Sequence, residues 1–371
     1  MPEPDVRVPC QGGLSSGRRT GSGRLAQEGV SSYQSYMSYH HVLSAVGAPG
    51  QTVPHCTLGG GKTASVTTLH DQSFFWVRGF GYQPSYAPTG LEIWLHFDER
   101  QIATELARGR QHFPGTNAIR LWLSFDAWLR EPARFVRNFG RVLDILGHLG
   151  LRAMPCLFNN WHSLPDFGGV SAEMVGYWNS PHREVNYFHR YAGDLVAPFL
   201  NDDRVLAWDL CNEPFNGGRE DAFVPWLADL HAFVKGTGAV APVTIGVPPD
   251  LHQLELVEPM CDVLTPHLYG ASAANDAFIE FANRVAKPMF AGETGWGSLD
   301  GDVRLGTLHR ELSSLLERKV GFMIHVLHHS LVADCHRAEF GPVSEVGFMG
   351  CIEADGTMRA GYESIRKYFA Q

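Results

Sequence analysis

From residue 71 onward, short apolar runs take turns with longer stretches whose apolar residues recur every three or four positions. The short runs predict strands at Phe74–Phe80, Ala118–Phe125, Arg152–Phe158, Val205–Cys211, Val243–Val247, Asp262–Pro266, Pro288–Ala291 and Gly321–Leu327. The longer stretches predict helices over Glu99–Arg108, Pro132–Leu149, Glu184–Phe199, Ala222–Val234, Leu251–Glu258, Ala277–Val285, Val303–Leu316 and Gly361–Phe369. The clearest is Pro132–Leu149, where Phe135, Val136, Phe139, Val142, Leu143 and Leu146 fall on one side. Strand–helix units in alternation imply a parallel sheet, and eight of them over residues 71–371 fit an α/β fold of the (β/α)8 TIM-barrel type, a single catalytic domain. A doubly wound sheet is the alternative. It usually opens with a glycine-rich phosphate turn, whereas Gly79-Phe80-Gly81-Tyr82-Gln83-Pro84 lacks the third glycine and opens no helix.

Residues 1–70 lack this rhythm. Gly12–Gly23 is rich in Gly, Ser and Arg, and Ser31–Tyr39 in Ser and Tyr, so this stretch reads as an irregular N-terminal extension, partly disordered or capping. Gly59-Gly60-Gly61-Lys62-Thr63 suggests a phosphate loop, but Cys56 stands where the first glycine is required, and a simple turn is the better reading.

Composition narrows the function. The net charge of −9, with no basic block, argues against nucleic acid. No run of about 18 apolar residues points to a membrane span. The start, Met1–Gly13, has no charged region leading into an apolar one, so no signal peptide is expected. The seven cysteines are scattered without a Cys-x-x-Cys pair, and Cys156 and Cys211 lie in apolar runs. Reduced thiols and a cytoplasmic setting are the expectation.

The candidate chemistry gathers where the strands end, the face on which a parallel barrel does its work. The fourth run ends in Asn212-Glu213-Pro214, and the seventh presents Glu293 before Thr294-Gly295-Trp296. Other tips carry Arg120 with Ser124 and Asp126, then Asn159-Asn160-Trp161-His162, His267-Leu268-Tyr269 and His328-His329. Polar groups interleaved with aromatics suit a polyhydroxylated ligand, because sugar rings stack on flat apolar faces. Two carboxyl groups on neighbouring tips are what retaining glycosidic cleavage needs. One must stay ionised, which a nearby Arg and Tyr hydroxyl favour; the other must hold a proton, which burial favours.

The run Trp208-Asp209-Leu210-Cys211-Asn212-Glu213-Pro214 resembles the strand-four signature of the large clan of retaining (β/α)8 glycoside hydrolases. Within that clan the chain most resembles glycoside hydrolase family 5 and its β-mannanase branch. The matching elements are Asn159-Asn160-Trp161, Gly168-Gly169, Trp208–Pro214 and Thr265–Tyr269, and the likeness covers roughly residues 74–370. Three features depart from the family. Glu293-Thr294-Gly295-Trp296 looks more like the β-1,3-glucanase or galactanase families of the clan, His328-His329 stands where a strand-eight Trp is usual, and the signal peptide of secreted mannanases is not seen.

The resemblance implies a retaining β-glycoside hydrolase for β-linked mannosides or glucosides, oligosaccharides above all. Glu213 would be the acid/base and Glu293 the nucleophile. Arg120, Asn160, Trp161, His162, Asn212, His267, Tyr269, Trp296 and His328 would bind substrate or tune the pair. Neither metal nor cofactor is expected, and the expected partner is a carbohydrate. A hydrolase with β-1,3-glucanase or galactanase specificity and a non-catalytic sugar-binding barrel are the alternatives; the latter would be expected to have lost one of the two carboxylates.

Overall fold

The computed structural model describes residues 74–160, 169–180, 182–270, 272–334 and 349–370. The extension expected over 1–70, the turn at 59–63, Trp161, His162, Gly168 and three of the cysteines lie outside the described residues.

The strands are β1 (Arg78–Tyr82), β2 (Ala118–Trp122), β3 (Arg152–Asn159), β4 (Trp208–Asn212), β5 (Val243–Thr244), β6 (Gly246–Val247), β7 (Thr265–Pro266), β8 (Phe290–Thr294) and β9 (Gly321–Ile324). All pair in parallel, in the order β5-β4-β3-β2-β1-β9-β8, with β6 on β7. Bridges Leu264–Met289 and His267–Glu293 join β7 to β8 and close the ring. β5 and β6 are two halves of one stave about Ile245, so nine segments make eight staves, and β7, β8 and β9 are staves six, seven and eight. The expected (β/α)8 barrel is the fold observed.

Each of the first seven staves is followed by a helix: α1 (Glu99–His112), α2 (Pro132–His148), α3 (Tyr187–Val196), α4 (Glu220–Gly236), α5 (Leu251–Val257), α6 (Ser272–Arg284) and α7 (Gly301–Glu317). The eighth position is a 3-10 segment, Tyr362–Phe369, rather than an α-helix. Asp98, Asn186, Asp250 and Asp300 cap α1, α3, α5 and α7 with side-chain oxygens, and Pro132 occupies the first turn of α2, where its missing N–H costs nothing.

Two apolar runs are only partly strand, for one reason. Phe74–Trp76 is a 3-10 turn and β1 begins at Arg78; likewise β4 begins at Trp208, not Val205. Phe74, Val77, Leu206, Ala207, Met154, Phe290 and Met323 pack together as a separate apolar cluster at the starts of the staves. This plug supplies hydrophobicity that, read along the chain, lengthens the apparent strands. Cys156, Cys211, Cys261 and Cys351 are buried, as expected for thiols used as small core residues. Among the described residues, no helix is long and apolar enough to cross a membrane.

Candidate active site

Arg120 lies in mid-β2, wholly buried inside the ring. A guanidinium there needs acceptors on every side. Nε and Nη2 donate to Asp209 Oδ2 at 3.0 and 2.7 Å, Nη2 also to Asn212 Oδ1 at 2.6 Å, and Nη1 to Glu293 Oε1. Burial alone would weaken its hold on the proton, but Asp209 and Glu293 outweigh it and raise its pKa. The Arg side chain also lies 4.8 Å over the Trp122 ring.

Glu293, in β8, is the best-held carboxylate. Tyr269 OH donates to Oε2 at 2.5 Å, while His325 Nδ1 and His267 Nδ1 stand 3.6 and 3.7 Å from the same oxygen. Burial pushes the carboxyl up. The charges of His267, His325 and Arg120, with the Tyr269 hydroxyl, more than reverse that and bring it from an ordinary 4.5 to about 2. Glu293 is thus an anion throughout the neutral range.

Glu213 follows β4 and has a different environment. Its N–H donates to Gly246 O at 2.7 Å, and its backbone takes φ +46°, the left-handed region that non-glycine residues rarely occupy. Oε1 lies 2.6 Å from His267 Nδ1, and Oε2 accepts from Asn216 Nδ2 at 2.5 Å. Gly246 is needed beside it. A Cβ there would come within 2.7 Å of His267 Nε2 and 3.0 Å of Arg120 Nη2. Oxygens of Glu213 and Glu293 and a ring nitrogen of His267 all lie within 4.8 Å of one another. Among the described residues these are the ones that could ligate a metal, and the carboxylate oxygens and His267 Nδ1 are engaged in the contacts just described.

The structure therefore brings together Arg120, Asn212, Glu213, His267, Tyr269 and Glu293. Asn212 Nδ2 gives one hydrogen to Asn159 Oδ1 at 2.8 Å and keeps a second for a ligand. Trp296 is half-buried, its ring edge-on to Tyr269 with centroids 5.3 Å apart. Asn160 supports the turn after Glu213: its N–H donates to Asn212 O at 2.9 Å and its Nδ2 to Pro214 O.

His328 is buried, with Nδ1 on His329 O at 2.9 Å, and the histidine that stave eight turns towards Glu293 is His325. His325 interrupts the run directly after Ile324, but Val326 and Leu327 resume it, so the expected strand runs on to Leu327. Asp209 was also missed, although an acid inside an apolar strand implies a buried cation elsewhere, and Arg120 is the one available in strand two. Asn216, Arg304 and Glu311 carry no such mark.

No protein-family model matches the chain. It is 28% identical over 220 residues to a probable mannan endo-1,4-β-mannosidase A of Aspergillus clavatus, a match covering 57% of this chain and 58% of that one. The chain thus spans a little over half the length of this curated relative. Among solved structures, GH5_18 from Streptomyces cattleya in complex with GlcNAc superposes with a TM-score of 0.63 at 17% identity, covering 78% of each chain. The exo-β-1,4-mannosidase Op5Man5 from Opitutaceae bacterium strain TAV5 gives a TM-score of 0.61 at 18% identity, covering 78% of this chain and 58% of that one. The barrel fold is shared with these structures.

Proposed function

We propose that the protein is a retaining β-glycoside hydrolase of the family 5 type that acts on β-mannosides. The observation that carries this reading is the carboxylate pair: Glu213 and Glu293, from staves four and seven, have oxygens within 4.8 Å of each other. Retaining pairs stand about 5–5.5 Å apart, whereas inverting pairs leave about 6.5–9.5 Å for a water. Mannoside specificity rests on the mannosidase relatives.

In this reading Glu293, kept ionised by Arg120 and Tyr269, attacks the anomeric carbon. Glu213 protonates the leaving oxygen and then draws a proton from the water that releases the sugar. His267 and Asn216 hold its two oxygens. The second hydrogen of Asn212 Nδ2 is offered to the sugar 2-hydroxyl, a contact that strengthens as positive charge develops on the ring.

Proton NMR of an aryl β-mannoside during hydrolysis tests the whole reading. The β-anomer of mannose should appear first and mutarotate later, and turnover should exceed that on the matched β-glucoside. First release of the α-anomer would establish inversion and overturn the double displacement.

Trp296 gives a second expectation. Its ring stands against Tyr269, so it is placed to stack on the sugar beside the nucleophile. Trp296→Ala should raise KM for manno-oligosaccharides by about 10-fold, the loss of an aromatic contact of roughly 1 kcal/mol or more. The effect on kcat for an activated aryl mannoside should be smaller. An unchanged KM would place the sugar elsewhere.

A further inference from the structure

Helix α7 lies outside the barrel, yet it sends two buried charged side chains to the tips of the last three staves. Glu311 is 4% exposed and has no ion-pair partner among the described residues. It accepts two backbone hydrogen bonds, Oε1 from Gly270 N at 2.8 Å and Oε2 from Gly295 N at 2.7 Å, and the Thr294 hydroxyl, which also lies 2.8 Å from Leu268 O, stands 2.8 Å from Oε2. Each donor adjoins a residue of the site. Gly270 follows Tyr269, and Thr294 and Gly295 fill the space between Glu293 and Trp296. Arg304, two turns earlier and 1% exposed, takes the other side. Its Nη2 donates to Gly295 O at 3.3 Å, to His325 O at 3.0 Å and to Met349 O. The Gly295 residue is thus held at its N–H by Glu311 and at its carbonyl by Arg304. Between them Leu308 packs so closely that a Cβ on Gly295 would lie 2.5 Å from its Cδ2.

A carboxylate buried without a cation is costly unless its bonds are specific. Here the bonds are specific: one backbone N–H is aimed at each oxygen, Gly270 at Oε1 and Gly295 at Oε2. We infer that Glu311 is a positioning residue for the reaction, fixing Tyr269 and the strand-seven tip so that the Tyr269 hydroxyl meets Glu293. This inference rests on the glycosidase reading above.

Glu311→Gln separates positioning from mere support. The amide oxygen can serve the Gly295 N–H in place of Oε2, leaving its NH2 facing the Gly270 N–H, so the Tyr269–Gly270 segment loses its anchor. Groups facing Glu293 are Arg120, Glu213, His267, Tyr269 and His325; of these, only Tyr269 is held through Glu311. On an aryl β-mannoside, kcat/KM should fall about 10-fold or more, mainly in kcat. The acid limb of its pH profile should move up, and Tyr269→Phe should move it in the same direction. In the Tyr269→Phe background, Glu311→Gln should add less than about twofold, since both act through one contact. A variant with lowered Tm but an unmoved acid limb, or fully multiplicative losses in the double variant, would overturn the inference. Should Glu311→Gln fail to fold, Thr294→Val removes the hydroxyl that stands 2.8 Å from its Oε2; an upward shift of the acid limb supports the inference and an unmoved limb overturns it. Titration of the Glu293 carboxyl carbon by NMR needs no turnover. If the wild type proves inactive, the glycosidase reading fails on its own, and this titration still decides the role of Glu311: a rise in the Glu293 pKa in Glu311→Gln supports it, and no change sinks it.

Discussion

Glu213→Ala, supplied with a dinitrophenyl β-mannoside, should release a burst of dinitrophenolate and then stall. That leaving group needs no proton, so attack by Glu293 proceeds without the general acid. The second step lacks its base, and the mannosyl-enzyme accumulates. Steady-state turnover should fall by about 10²–10⁴-fold. Azide needs no base. It should restore turnover and give the β-mannosyl azide, entering from the face where Glu213 stood. Glu293→Ala should be poorer still, losing on the order of 10⁴-fold or more, as removal of a nucleophile does elsewhere. Azide there attacks from the opposite face and should give the α-mannosyl azide. Mass spectrometry and NMR of the two products assign the roles by stereochemistry alone. Exchanged products would exchange the roles, and wild-type turnover in both variants would end the glycosidase reading.

Arg120→Met should produce the largest loss outside the two glutamates. It removes the one side chain that bonds Asp209, Asn212 and Glu293 together, leaving two buried acids without their cation. Breaking a buried ion pair by deleting one member costs about 3–5 kcal/mol, so denaturant unfolding should show a stability loss of that order. The pH dependence follows from Glu293. Its pKa in the folded protein, about 2, lies below the ordinary 4.5. A group lowered on folding contributes stability fully above its unfolded value and loses it as pH falls through its folded one. That contribution in the wild type should therefore persist down to about pH 4.5 and vanish towards about pH 2. In Arg120→Met this loss should begin at higher pH, and the acid limb of kcat/KM should rise with it. Acid-unfolding curves that superpose for the two proteins would show that Arg120 does not govern the charge of Glu293.

The arrangement also gives Arg120 a reason to be arginine. Its donors are divided among acceptors from staves four and seven, in directions set by a rigid planar fork. A lysine at the same place offers one nitrogen and cannot reach both acids together. Asp209 is the less visible member of this group, placed below the reacting pair and bonded also to Gly246 N at 3.2 Å. It links the stave carrying Glu213 to the halved stave whose bare glycine admits His267.

The alternation of apolar runs and helical stretches determined the barrel, because a parallel stave is buried on both faces and reads as an unbroken apolar segment. The same logic put Glu213 and Glu293 at the ends of their staves and Arg120 within one, since a charge that interrupts or closes such a run has only the barrel interior or its rim to occupy. Where the runs ended was another matter. Phe74, Val77, Leu206 and Ala207 are apolar because they plug the barrel floor, and Val326 because it packs with Met349 and Trp296 beyond the last stave. Hydrophobicity records burial and does not distinguish a stave from a plug. For that reason the sequence put the strand-eight tip at His328, and only the tertiary structure turned His325 towards Glu293. Distances between residues far apart in the chain were likewise decided by the closed ring. The approach of the two glutamates to within 4.8 Å, the grip of Glu311 and Arg304 on Gly295 and the pairing of Asp209 with Arg120 depend on stave register and helix docking, and no local pattern of residue types encodes them.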